Sequence, residues 1–366
     1  MRGLYIHIPF CKRKCYYCDF YSVVGKTELM YLFVAAVFNE AQIYAGARID
    51  TLYLGGGTPS LLGSSNLLTL MDGLKQAFDL SHLCESTIEI NPDTATSGLF
   101  EAARQCGFNR VSIGVQSLSD SELHRSGRVH DSIQALTALQ QASETGFTNI
   151  SVDIIIGLPG QSWYSLKKTL EILLETGITH LSAYCLSVEE GTPLAASRLV
   201  DLPDDDMQAV LYEKVMRYLK KSGLIHYEIS NFCQPGMPCL HNLNYWRGGE
   251  YIGLGPAAAS HINGHRFTNA ADLSGYLIDP AGIKCGDEYL EPPAKLGEEA
   301  MLRLRLLQEG LDLADVQGRF DVGIDNLVQR LNNLVHKQSL VKQGSRYYLP
   351  SSRVLTSNSI LAGVLD

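Results

Sequence analysis

Three thiols fall within one short segment near the start of the chain, Cys11-Lys-Arg-Lys-Cys15-Tyr-Tyr-Cys18. The C-x3-C-x2-C spacing lets a single loop wrap three sulfurs around one metal centre. A closed tetrahedral zinc site would need a fourth ligand from elsewhere. His7 is near in sequence, but it sits in the apolar run Tyr5-Ile-His-Ile-Pro-Phe10, where a packed or hydrogen-bonded imidazole is the commoner outcome. Three thiolates on a 4Fe-4S cluster leave one iron open to a non-protein ligand. The spacing points first to such a cluster, with zinc as the alternative. Disulfides could not pair all three clustered thiols and would need an oxidising compartment.

Two other stretches could do chemistry. In Gly55-Gly-Gly57-Thr58-Pro59, glycines would let the backbone approach a ligand and offer N–H donors to a carboxylate. A tight strand-to-helix turn explains the same string without a ligand. No Gly-Lys-Ser/Thr follows, so it is not a phosphate-binding Walker loop. His241-Asn-Leu-Asn-Tyr245-Trp246 joins an imidazole to two aromatic side chains. It could stack a flat apolar ligand and bind iron, or simply form a core corner.

The elements that must position these residues alternate. Strand-like runs at Leu4–Ile8, Thr51–Gly55, Thr87–Ile90, Arg110–Gly114, Asn149–Ile156 and His180–Leu186 are separated by helix-like runs at Glu28–Tyr44, Ser64–Phe78, Thr96–Cys106, Asp131–Thr145 and Trp163–Thr176. This rhythm predicts an α/β fold with a parallel sheet of six strands. Ligands of such folds gather at the carboxyl ends of the strands. The cysteines and the glycine loop follow the first two strands. Glu89 ends the third, Gln116 lies past the fourth, Asp153 is in the fifth and Ala183 in the sixth.

After Leu186 the rhythm fades. Asp204–Ser222 reads as a helix with acidic residues at its start, and His226–Ser230 as a further strand. Three helix-like runs (Ala294–Leu307, Asp312–Phe320, Ile324–His336) and a hairpin around Gln343-Gly-Ser345 form a winged-helix-like α+β pattern. The tail from Ser351 is expected to be loosely ordered except for Ile360–Leu365.

Composition bounds the function. The chain has 366 residues, 45% hydrophobic and 19% charged, and a formal net charge of −9, which gives no support to a nucleic-acid partner. No apolar run reaches about 18 residues, so no membrane span is expected. No secretory signal pattern opens the chain. Nine cysteines, an odd number and mostly scattered, suit a reducing cytoplasm. Cys84, Cys106, Cys185 and Cys285 are expected to be small buried apolar residues.

The cysteine motif, with Tyr17 just before its last thiol, resembles that of the radical S-adenosylmethionine (SAM) superfamily. The run from Tyr5 to Cys11, the Gly-Gly-Gly-Thr-Pro loop and the His-Asn-x-x-Tyr-Trp string narrow the likeness to the branch of oxygen-independent coproporphyrinogen III oxidase (HemN) and the heme chaperone family HemW. The resemblance implies a partial (β/α)6 barrel with a small winged-helix-like C-terminal domain, divided as 1–230, 231–290 and 291–366. It implies that Cys11, Cys15 and Cys18 hold a 4Fe-4S cluster whose open iron binds SAM. Tyr5, Gly56, Glu89 and Ala259 match contacts to that SAM. Tyr17, Gly57, Thr58, Gln116, Arg128, Asp153 and Ala183 match contacts to a second SAM. His241 matches a heme ligand, with Cys233, Cys239, His261 and His265 as further candidates. In HemN the motif continues to a fourth cysteine, where this chain has Phe20, and an N-terminal extension precedes the barrel. Both differences favour the HemW side. The function implied is a cytoplasmic heme chaperone serving apo-hemoproteins such as respiratory enzymes, with an electron donor for the cluster. A cluster- or heme-dependent homodimer fits that reading. The alternative is coproporphyrinogen III oxidation.

Overall fold

The computed structural model describes residues 1–366 except 198–200, 283, 321 and 366. One twelve-stranded sheet organises the chain. Its first six strands are β1 (Arg2–Ile8), β2 (Thr51–Gly56), β3 (Glu85–Ile90), β4 (Arg110–Gln116), β5 (Asn149–Ile156) and β6 (His180–Cys185). They lie side by side in chain order and all run parallel. Each parallel step needs a crossover. The crossovers contain α1 (Met30–Ala41), α2 (Gly63–Ala77), α3 (Ser97–Cys106), α4 (Ser132–Glu144) and α5 (Trp163–Glu175). The six expected strands are therefore present, with ends displaced by at most two residues.

Each strand alternates in a way the expectation of continuous apolar runs overlooked. Leu52 and Leu54, Ile88 and Ile90, Val111 and Ile113, Val152 and Ile154 are buried in the main core with the helices. Between them come Tyr53, Glu89, Ser112 and Asp153, which line a cavity on the opposite face. A period of two therefore separates an apolar outer face from a polar interior.

The sheet continues on both sides. On one side stand α6 (Asp205–Lys221), whose N-terminal N–H of Met207 is capped by Asp204 at 2.8 Å, and the antiparallel pair β7 (Ile225–Glu228) and β8 (Asn231–Cys233). On the other, after α7 (Leu240–Trp246), β9 (Glu250–Leu254) runs parallel to β1, making a seventh parallel strand. From it β10 (Ala259–Ile262), β11 (His265–Asn269) and β12 (Lys284–Tyr289) extend the sheet antiparallel. A buried carboxylate on α1 fastens this extension. Glu40 is fully buried and accepts from Gly255 N at 2.9 Å, Asn269 Nδ2 at 2.7 Å and Tyr276 Oη at 2.7 Å, with Lys284 Nζ at 3.4 Å.

The C-terminal part has α8 (Pro292–Arg303), the short helix Leu313–Gln317, α9 (Asp325–His336) and a three-stranded sheet of Leu311–Asp312, Val341–Gln343 and Arg346–Tyr348. The tail departs from expectation. Ser351–Thr356 forms a 3-10 turn leading into α10 (Ser357–Leu365), which buries Ile360, Leu361 and Val364. These apolar positions, three and four apart, give the tail a face to pack. Among the described residues no helix is long and apolar enough to cross a membrane.

The scattered cysteines also correct the expectation. Cys106 is buried, but Cys84 and Cys285 are exposed and Cys185 lines a cavity.

Candidate functional site

The carboxyl ends of β1 to β6 open onto a cavity of about 430 Å³. Cys11, Cys15 and Cys18 line it together with Tyr17, Gly56, Gly57, Glu89, Gln116, Arg128 and Asp153. The strand-end argument thus brings together residues from five strands and the loop after β1. Among the described residues no three His, Cys, Asp or Glu side chains close on a single metal ion. The three thiols instead share the wall of an open cavity.

The cysteine loop is anchored from several sides. Tyr16 N donates to Ser126 O at 3.0 Å, and Tyr16 O accepts from Leu194 N at 2.7 Å. Arg128 is wedged beneath: Nη2 donates to Gly114 O at 2.8 Å and Nη1 approaches Cys15 Sγ at 3.4 Å. Its Nε is buried with no partner, so the guanidinium keeps an unused donor at the cavity wall. Thr58 does not line the cavity. It is buried, donates Oγ1–H towards Cys11 Sγ at 3.5 Å and accepts from Asn91 Nδ2 at 3.0 Å.

The glycine loop explains itself in part by packing. Gly56 has φ +108°, and a Cβ there would stand 2.7 Å from His7 Nδ1. A Cβ on Gly57 would meet the carbonyls of Phe10 and Ile8 at 2.7 and 2.9 Å and Cys11 Sγ at 3.1 Å. Only glycine lets this loop lie against the cysteine loop. Gln116 holds φ +63° without being glycine, a strain of about 1–3 kcal/mol that accumulates at functional sites.

Electrostatics single out Glu89. Burial and the neighbouring Asp153 raise its pKa to about 7, against stabilising hydrogen bonds that include Tyr53 Oη at 2.9 Å. Asp153 is also raised, first by burial. Two desolvated carboxyls facing one cavity favour a cationic ligand group. Tyr53, Ser112 and Asn91 also line this wall and were missed; the period-two polar alternation of their strands was the available signal.

A second cavity of about 790 Å³ adjoins the first and shares Asp19, Phe20, Gly56 and Glu89 with it. Its walls are aromatic: Tyr5, Tyr21, Tyr245, Trp246 and Tyr251, with Ala259 and His261. Arg266, Lys295 and Glu298 supply charge. Arg266 is paired with Glu298 at 2.7 Å, whereas Lys295 has no ion pair among the described residues. Trp246 Nε1 is buried without a partner.

The remaining nominees fall outside both cavities. Ala183 is buried and its N–H donates to Ser230 O at 2.8 Å. His265 is exposed, and Cys233 and Cys239 are buried in the core. His241 is 1% exposed and lines neither cavity. Its Nδ1 meets Thr51 Oγ1 at 2.9 Å and its Nε2 meets Tyr245 Oη at 2.7 Å. Burial and Arg110 push its pKa down to about 3, so the ring is neutral. The helix α7 that carries it starts on Glu85, whose carboxylate accepts from Leu240 N at 3.0 Å and His241 N at 2.9 Å.

Comparison with known proteins agrees with this arrangement. Residues 5–173 match the Radical SAM superfamily. The heme chaperone HemW of Lactococcus lactis is 31% identical over 361 residues, covering 97% of this chain and 95% of that protein. HemW of Bacillus subtilis is 32% identical over 378 aligned residues, covering 100% and 99%. The chain belongs to the HemW family of radical SAM proteins. The structure of Escherichia coli coproporphyrinogen III oxidase, HemN, superposes with a TM-score of 0.86 over 99% of this chain and 89% of that one. At 23% identity this likeness establishes the HemW fold as that of HemN, and no more. Radical SAM membership implies a 4Fe-4S cluster and SAM for this HemW-family chain.

Proposed function

We propose that this chain binds heme and passes it to apo-hemoproteins, with a 4Fe-4S cluster and SAM held at the mouth of the barrel. The observation that carries the reading is the pair of adjoining cavities. One is lined by the three clustered thiols and by carboxyls that include Glu89 and Asp153; the other, about 790 Å³, is larger and aromatic. The relatives named as heme chaperones support it.

The residues fit the cluster and SAM. Cys11, Cys15 and Cys18 would hold the cluster on the wall against which Gly57 is packed. Glu89, desolvated and next to Asp153, would take the SAM ammonium group, with Tyr5, Gly56 and Ala259 around it. The unused Arg128 Nε–H, with Tyr17, Gly57, Gln116 and Asp153 on the same wall and Thr58 and Ala183 buried behind it, would serve a second SAM. Bound there, the cluster and SAM would supply one-electron chemistry. The protein's own part is to orient SAM and keep water from it.

Heme would lie in the larger cavity between Tyr245, Trp246, Tyr251 and Phe20. Lys295, lacking an ion pair among the described residues, would receive a propionate. The partners of this reading are cytoplasmic apo-hemoproteins such as respiratory enzymes and an electron donor for the cluster, with a homodimer as the assembled form. A second reading, coproporphyrinogen III oxidation, draws on the shared wall of the two cavities, which would bring a porphyrinogen propionate against SAM.

The test is a heme titration of anaerobically reconstituted protein, with a coproporphyrinogen assay on the same sample. Tight heme binding without product supports the chaperone. Product with weak heme binding replaces it by the oxidase.

A further inference from the structure

We propose that Tyr245, rather than His241, is the residue that bonds ferric heme iron, and that His241 positions it. The inference rests on the reading of the larger cavity as a heme site and adds its metal ligand.

The geometry comes from one turn of α7. His241 and Tyr245 are four residues apart and so share a helix face. Tyr245 lines the aromatic cavity; His241 lies behind it, buried, with both ring nitrogens engaged. For His241 to reach iron, the 2.7 Å bond to Tyr245 must break and the ring must leave its stack on Tyr53, at 5.2 Å between centroids. Tyr245 already lines the cavity, with its Oη on the bond to His241.

A count of donors points the same way. The Thr51 hydroxyl has one partner among the side-chain hydrogen bonds, His241 Nδ1. Thr51 is fully buried whereas Tyr245 lines the cavity, so the tautomer that leaves no buried hydroxyl unpaired has Thr51 donating to Nδ1 and the ring hydrogen on Nε2. That N–H then donates to Tyr245 Oη. The phenol oxygen is thus already an acceptor from His241, and its own hydrogen has no other protein partner among the described residues. Ferric iron takes the place of that hydrogen. One Fe–O bond forms, one O–H bond breaks, and the proton leaves to water. Phenolate is an established axial ligand of ferric heme, and a second residue bonded to the ligand atom tunes it. Reduction by added dithionite reverses the step: iron gains one electron from it, the phenolate regains a proton from water, and the softer ferrous ion is held less well.

The experiment uses full-length protein loaded with ferric heme and read by optical and resonance Raman spectroscopy, with cluster content and far-ultraviolet circular dichroism as checks on folding. Wild type should show a phenolate-to-iron charge-transfer band that reduction by dithionite removes. Tyr245→Phe should lose the band and bind ferric heme at least about tenfold more weakly. His241→Ala should keep the band, shifted, with affinity lower by about 10–100-fold, the usual cost of losing an outer-shell partner. Thr51→Val should move it in the same direction by less. An unchanged spectrum in Tyr245→Phe overturns the proposal. So does an imidazole signature that disappears in His241→Ala and survives in Tyr245→Phe. If wild type binds no heme, the proposed function itself falls first. Tight wild-type binding with no phenolate band overturns the ligand alone.

Discussion

Replacing Gly57 with Ala puts a methyl group where no space exists. Its carbon would stand 2.7 Å from the Phe10 carbonyl oxygen, 2.9 Å from that of Ile8 and 3.1 Å from Cys11 Sγ. Comfortable carbon–oxygen contacts begin at about 3.3 Å, so both carbonyls must retreat by about half an ångström. Neither is a flexible side-chain end. Ile8 O accepts from Gly57 N at 2.8 Å, and Phe10 belongs to the short parallel pair that Phe10–Cys11 makes with Val23–Val24. Overpacking of this kind costs about 1–3 kcal/mol. The displaced atoms carry the start of the cysteine loop, so the cost should appear in the cluster as well as in stability. The assay is thermal unfolding of the apoprotein with iron and sulfide content after anaerobic reconstitution. Gly57→Ala should melt lower and hold less iron. Gly98→Ala, whose Cβ would meet nothing within 4 Å, is the control and should be neutral or slightly stabilising. A Gly57→Ala protein with unchanged melting and full iron would refute the claim that the two loops are packed against each other.

Glu89, with its pKa raised to about 7, should make SAM binding strengthen as pH rises through that value. Equilibrium dialysis of cluster-loaded protein reads this, and Glu89→Gln should flatten the profile; a variant that keeps the slope removes Glu89 as the ammonium acceptor. In the apoprotein the same shift acts with the opposite sign on stability. Between the ordinary 4.5 and about 7 the folded chain keeps a proton that the unfolded chain releases, so this group's contribution declines as pH rises through that window. Glu40→Ala leaves the buried donors of Gly255 and Tyr276 without this acceptor and Asn269 Nδ2 with only Gly255 O. At about 1–3 kcal/mol for each donor left unpaired, before relaxation, the unfolding free energy and with it the denaturant midpoint should fall, and an unchanged midpoint would separate α1 from the extension. In cluster-loaded protein Cys84 and Cys285 should alkylate readily, while Cys106, Cys233 and Cys239 stay protected until unfolding. Early labelling of Cys239 would contradict its burial.

What could be read in the sequence was whatever local spacing encodes. The C-x3-C-x2-C loop and six βα repeats depend on residues close in the chain, and their strands appear within two residues of the expected ends. The extension β9 to β12 was missed because its register depends on a distant partner: Glu250–Leu254 is short and becomes a strand by pairing with β1, some 250 residues away. Glu40 looked like one more charge on a helix; only the folded chain brings three neutral donors to it. His241 was nominated from its motif alone, and the structure places it buried behind Tyr245 on the same helix. The four-residue spacing to Tyr245 would have exposed the pair, had Leu240–Trp246 been read as a helix.

The chain of contacts from one cavity to the other is short. Glu89 lines both, and its Oε1 accepts from Tyr53 Oη; Tyr53 stacks on His241; His241 bonds Tyr245, which packs edge-on against Tyr251 at 4.7 Å between centroids. Phe20 lies on the same seam, 63% exposed yet lining both cavities. An aromatic ring left in water beside an aromatic cavity is removed from water when a flat ligand fills it, and that burial favours the filled state by about 25 cal/mol per Å². On the proposed function, phenylalanine at this position would add apolar surface to the side that holds the macrocycle, while Glu89 stays in place for SAM. On the proposed function the common wall would link the two sites, because Glu89, Tyr53, His241 and Tyr245 form one run of contacts from the cofactor side to the phenol proposed to hold the iron.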